Sequence, residues 1–144
     1  MTRRTRGREV ALQLLYQREQ NLKIDRAAIE QFALTRVREM PLRAFCLFLY
    51  DGVVANIADI DAKISAAAEN WRLARMPTVD RNILRIGAFE LLHMQDTPAA
   101  VAFDEAIELA RRYGTADSSA FVNGVLDRLR REAVSEPETE SKSV

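Results

Sequence analysis

An all-α fold of six or seven helices is what the sequence predicts, and three features carry that prediction. Apolar residues recur at three- and four-residue steps, as in Phe45, Phe48, Leu49, Val53, Ile57, Ile60 and Ile64, the spacing that lines one face of a helix. Residues that cap or end helices separate these segments: Asp25, Pro41, Thr78, the pair Thr97–Pro98, Gly114 and Asp117. No stretch sustains the strict alternation of a half-buried strand.

Each element follows from its residues. From Arg8 onward Val10, Leu12, Leu14, Leu15 and Tyr16 start a helix that continues to about Leu22. Asp25 can cap a second, carrying Ile29, Phe32 and Ala33. Pro41 suits the first turn of a third, since its missing N–H costs nothing there. Gly52 and Asn56 mark a bend or break within the long apolar series. Thr78 can cap a helix in which Val79, Ile83, Leu84, Ile86, Phe89, Leu91 and Leu92 cover most of the circumference, which makes it the central, most buried one. Thr97–Pro98 opens a helix with Val101, Ala106, Ile107, Ala110 and Tyr113, closed by Gly114. Asp117 or Ser118 can cap the last, which runs to about Glu132. Residues 1–132 form one domain with a basic head at 1–7, and 133–144 form a disordered acidic tail.

Composition excludes several classes. The 144 residues carry zero formal net charge, but the charge is unevenly placed. Arg3, Arg4, Arg6, Arg8 and Arg18 against Glu9 give residues 1–18 a charge of +4, whereas the last thirteen residues carry −3. Cations at a helix start oppose its macrodipole and cost up to about 1 kcal/mol each, so stability does not explain them and a polyanion does. No apolar run approaches the roughly 18 residues of a membrane span, and the expected location is cytoplasmic. Cys46 is the only cysteine and reads as a small buried hydrophobe. Glu90 and His93 make half of a di-iron motif, but the chain has one histidine and the chemistry needs a second pair. No Cys–His dyad, phosphate loop or dinucleotide pattern is present. No catalytic group, metal site or cofactor is expected. For Arg81 and Arg85 the plainest reading is surface pairing, and for Trp71 it is a core anchor.

Asn123 and Gly124 stand out within DSSAFVNGVLDRL. Both are poor helix formers, and Gly costs about 1 kcal/mol against Ala. Close packing of another helix, or RNA contact, are the two readings; packing is the plainer.

Three blocks in order, REVALQLLYQ, VDRNILRIGAFELL and AFDEAIELARRYGTADSSAFVNGVLD, resemble the NusB family of transcription antitermination factors from about Arg4 to Leu129. The sequence departs from the family pattern at Phe103-Asp104, before EAIELA, and at Thr5 and Gly7 in the head. The resemblance implies two packed helical bundles, no catalysis, and binding of single-stranded boxA RNA of ribosomal RNA operons together with NusE, a small-subunit ribosomal protein. The complex joins the elongating RNA polymerase. Position by position, it places Arg4, Arg6 and Arg8 against RNA phosphates, Asp117, Ser118 and Phe121 on the same face, and Tyr16 and Asp80 against NusE. The residues leave the oligomeric state open: the exposed apolar positions of the first helix suit a second copy of the chain, as a homodimer, and NusE equally. Two other readings stay open: a helical protein–protein adaptor without RNA, and a relative of the RNA-binding domain of a ribosomal RNA methyltransferase. The latter needs a cofactor-binding α/β domain, for which 144 residues leave no room.

Overall fold

The first helix starts earlier than its apolar pattern. In the computed structural model, which describes residues 3–69 and 71–135, α1 spans Arg3–Gln20, so the arginine head lies inside the helix rather than ahead of it. Thr5 makes this possible: its hydroxyl donates to both carboxylate oxygens of Glu105, at 2.8 and 3.0 Å, and anchors the first turn. α2 spans Arg26–Arg36, and Asp25 caps it as expected, accepting from the Ala27 N–H. α3 spans Met40–Ala55 and α4 spans Ile57–Ala68, with a 76° bend between them. At that break the Asn56 amide donates to the Gly52 carbonyl at 2.7 Å.

α5 spans Thr78–His93, α6 Ala99–Tyr113 and α7 Ser118–Ser135, with a short 3-10 turn at Leu73–Arg75 before α5. Two caps shift by one residue. The sequence suggests Thr78 as a cap and Pro98 as a first helical residue, but Pro77 and Pro98 occupy the N-cap positions. α7 continues through Ser135 rather than ending near Glu132. The acidic tail beyond it, 136–144, lies outside the described residues. Among those residues there is no strand, and no single helix is long and apolar enough to cross a membrane.

The helices form two bundles around a shared wall. α1, α2 and α3 pack on one another, while α4, α6 and α7 pack with α5. α5 also packs on α1 and α3, so it belongs to both. Every residue from Asn82 to Glu90 is buried, which is why its apolar pattern covers nearly the whole circumference. Gly52 on α3 faces this wall: a Cβ there would lie 2.1 Å from the Phe89 ring. Cys46 is wholly buried, and burial pushes its thiol up to about 12.

A part-buried polar seam accompanies the apolar one. Arg85 is held bidentate by Asp61, at 2.9 Å twice, and donates to Glu19 at 2.6 Å and to the Asn82 carbonyl oxygen at 2.9 Å. Arg81 grips the same Glu19 at 2.9 and 2.8 Å and donates to the Leu73 and Met76 carbonyls. This corrects the surface reading of both arginines: they stitch α1 and α4 to α5, and charge-assisted bidentate pairs are the stronger kind. For Glu19, burial raises the carboxyl, but Arg81 and Arg85 outweigh it and the net shift is below the ordinary 4.5. A carboxylate depressed in the folded state contributes stability above its unfolded value that is lost as pH falls through the folded one. Glu19→Gln is therefore expected to lower stability at neutral pH and to flatten the acid side of the stability profile below about 4.5. Denaturation midpoints measured from pH 7 to pH 3 check this; parallel curves for the two proteins contradict it.

Candidate nucleic-acid interface

The four head arginines have four different environments. Arg3 pairs with Glu39. Arg4 is exposed and lies over the Phe45 ring, 4.4 Å from its centroid. Arg6 is half-exposed, 3.7 Å from Glu9. Arg8 is only 2% exposed. Its Nε and Nη2 bond the Glu90 carboxylate at 2.9 and 2.6 Å, and its Nη1 lies 3.4 Å from Glu105. The expectation that Arg8 meets RNA phosphates is corrected by this burial. On a helix that begins at Arg3, position 8 turns inward toward α5 and α6, and its charge is neutralised inside the protein.

The last helix supplies a second group. At the Asp117 position the main-chain carbonyl accepts the Phe121 N–H. Its carboxylate is exposed and makes no hydrogen bond or ion pair among the described residues. The local side-chain work falls to Ser118, whose hydroxyl accepts the Thr115 N–H at 2.9 Å and donates to Asp80 at 2.8 Å. Ser118 is 1% and Asp80 5% exposed. Neither presents itself outward: Ser118 fixes the α6–α7 turn, and Asp80 is its acceptor. The expected direct roles of Ser118 on RNA and of Asp80 on a basic partner are corrected accordingly. Phe121 is half-buried, edge-on to Trp71 at 5.9 Å. Asp80, Asp117, Ser118 and Phe121 share a cleft of ≈ 360 Å³ with Trp71, Arg75 and Pro77. Arg4 instead lines a shallow site with Pro41 and Phe45.

Tyr16 lies elsewhere. It is 46% exposed and lines a cleft of ≈ 330 Å³ between α1, α2 and α5 with Leu12, Phe32, Val79 and Tyr113. Tyr16 and Asp80 thus line separate clefts. Two residues of the Tyr16 cleft that the sequence did not single out, Gln13 and Asn82, each hold a buried polar atom with no hydrogen-bond partner among the described residues: Gln13 Oε1 and Asn82 Nδ2. Arg85 holds the Asn82 oxygen, which fixes the orientation of that amide. Between this cleft and the head, Glu9 accepts from Tyr113 at 2.7 Å and from Arg112 at 2.9 Å. Burial, and then Glu9, raise the Tyr113 phenol. Of the di-iron half-motif, Glu90 is committed to Arg8 and His93 stacks on Phe89 at 5.5 Å.

The comparisons with known proteins agree with this architecture. The transcription antitermination protein NusB of Sorangium cellulosum is 44% identical over 129 residues, covering 90% of this chain and 92% of that one. Its counterpart in Geobacter sp. is 40% identical over 137 residues, with 90% and 94% covered. The solved structure of T. maritima NusB superposes with a TM-score of 0.81 at 36% identity, covering 99% and 98%. A chain from a crystal structure of antitermination factors NusB and NusE in complex with dsRNA reaches 0.82 over 92% and 98%; at 23% identity it shows the fold alone. The NusB family model matches residues 5–131, and with that span and those relatives the chain belongs to the NusB family, a family of transcription antitermination factors and not of enzymes.

Proposed function

We propose that this protein binds boxA-type single-stranded RNA of ribosomal RNA operons together with NusE and joins the elongating RNA polymerase as an antitermination factor. Family membership over residues 5–131 carries the proposal. The assembly of NusB and NusE with dsRNA in a fold neighbour supports the choice of NusE and RNA as partners. Locally, Arg4 and Arg6 remain accessible at the start of α1, where cations cost helix stability. Asp117 and Phe121 line an open cleft at the start of α7. The Tyr16 cleft suits a protein partner, because an exposed phenol beside apolar walls is typical of interfaces.

Filter binding of a boxA-type RNA with and without NusE tests the reading. Arg4→Ala and Arg6→Ala are each expected to weaken all RNA sequences alike and to reduce the salt slope by about 1, the effect of removing one phosphate-neutralising cation. Retention of neither RNA nor NusE by the wild-type protein contradicts the proposal. NusE binding without any RNA binding points to the adaptor instead.

A further inference from the structure

We propose that Trp71, flanked by Arg72 and Arg75, is a base-stacking platform for single-stranded RNA, an extension that rests on the RNA-binding function proposed above. A tryptophan of this kind is expected in the core, yet Trp71 is 54% exposed. Its edge-on contact with Phe121 steadies the indole while more than half of its surface stays open. An aromatic held in this way, with cations beside it, is the arrangement on which splayed bases stack, and it tolerates sequence because every base has a π-face.

The charges around it favour a polyanion. Arg72 and Arg75 are both exposed, and neither side chain has an ion pair or hydrogen bond among the described residues. The head, by contrast, loses Arg8 to Glu90 and Glu105 and Arg3 to Glu39. Free cations are therefore found beside Trp71 as well as on the head. The 3-10 turn Leu73–Arg75 carries Arg75 into the cleft that holds Asp117 and Phe121.

Trp71 and Phe121 also wall a second cleft, of ≈ 250 Å³, whose lining includes Gly124 and Arg128. The aromatic pair thus divides two adjoining clefts, with Arg75 in one and Arg128 in the other. Arg128 is 3.6 Å from Glu69, so it is partly neutralised, and Asp117 is an opposing charge in the first cleft. Gly124 gives the second cleft a bare floor: among the described residues a Cβ there would meet nothing within 4 Å, so close packing of another described helix is not its reason. A strand running across both clefts can place a base on Trp71 and phosphates near Arg72 and Arg75.

Trp71 is the only tryptophan, so its fluorescence reports on this position alone. Titrating the full chain with a boxA-type RNA oligomer is expected to quench that emission. Trp71→Leu is expected to weaken RNA binding by roughly 5- to 150-fold, the range for losing one stacked base, while Trp71→Phe retains most of the affinity. Arg72→Ala and Arg75→Ala are each expected to lower the salt slope by about 1. Circular dichroism of Trp71→Leu verifies that it folds, and quenching of the wild-type protein stands independently of that variant. Wild-type RNA affinity in Trp71→Leu, with unquenched emission in the wild type, overturns the platform while leaving the RNA-binding function standing. Quenching by NusE but not by RNA makes this a protein-docking surface and likewise overturns it. If wild-type protein binds no RNA, with or without NusE, both proposals fall together.

Discussion

Arg8→Ala is expected to cost about 3–5 kcal/mol of folding stability, the range for removing one member of a buried ion pair. Arg8 and Glu90 are 2% and 1% exposed, and the guanidinium meets the carboxylate through both Nε and Nη2. Deleting the arginine leaves Glu90 charged and desolvated in the α5 wall, and Glu105 is deprived of a nearby cation as well. Replacing both partners by apolar residues, Arg8→Met with Glu90→Leu, is expected to recover most of the loss, because no orphaned charge then remains. Arg4→Ala, at an exposed position, is expected to leave stability nearly unchanged. Urea denaturation of the four proteins decides the matter: an Arg8→Ala midpoint equal to wild type would falsify the buried-pair account. RNA-binding data on Arg8 variants need this control, since a failure to fold otherwise mimics a missing phosphate contact.

The second large effect belongs to Gly52. Gly52→Val is expected to destabilise by about 1–3 kcal/mol through overpacking, because its Cβ would fall 2.1 Å from Phe89 Cζ. The Phe89 ring cannot easily retreat: it is 4% exposed, stacked on His93 and edge-on to Phe48. Trimming the ring should relieve the clash, so Gly52→Val with Phe89→Leu is expected to be less unstable than the two single losses added together. Gly124→Ala has the opposite sign. Among the described residues nothing lies within 4 Å of a Cβ there, so the substitution is expected to stabilise by about 1 kcal/mol through helix propensity alone. Thermal melts read both, and a destabilised Gly124→Ala contradicts the open face described for α7.

Legibility followed the range of the interactions. The helices, the break near Asn56 and the central burial of α5 could be read from periodicity, because each depends on residues a few positions apart. The Asp25 cap was legible for the same reason. Arg8 was not: its partner Glu90 lies 82 positions away, and nothing near Arg8 announces an acid opposite it. Arg81 and Arg85 resembled solvated charges for an equivalent reason, since Glu19 and Asp61 arrive from other helices. Trp71 misled through its size, which usually means a core position, whereas here the short turn after α4 leaves it outside. Asp80 and Ser118 were singled out individually, but only the folded chain shows that they bind each other. The family resemblance supplied positions without exposures, and exposure is what separates Arg4 and Arg6 from Arg8.

The sharing of α5 between the bundles makes the chain indivisible. A break at Asn56 would leave α1, α2 and α3 facing an empty place where α5, through Phe89, had closed their core. The remaining helices would keep α5 but expose the side of it that α1 and α3 cover. Neither piece could then retain both its apolar seam and the partners of Arg8, Arg81 and Arg85. A surface built on the first helices and one built on the last are thereby two faces of one body, so the protein presents both or neither.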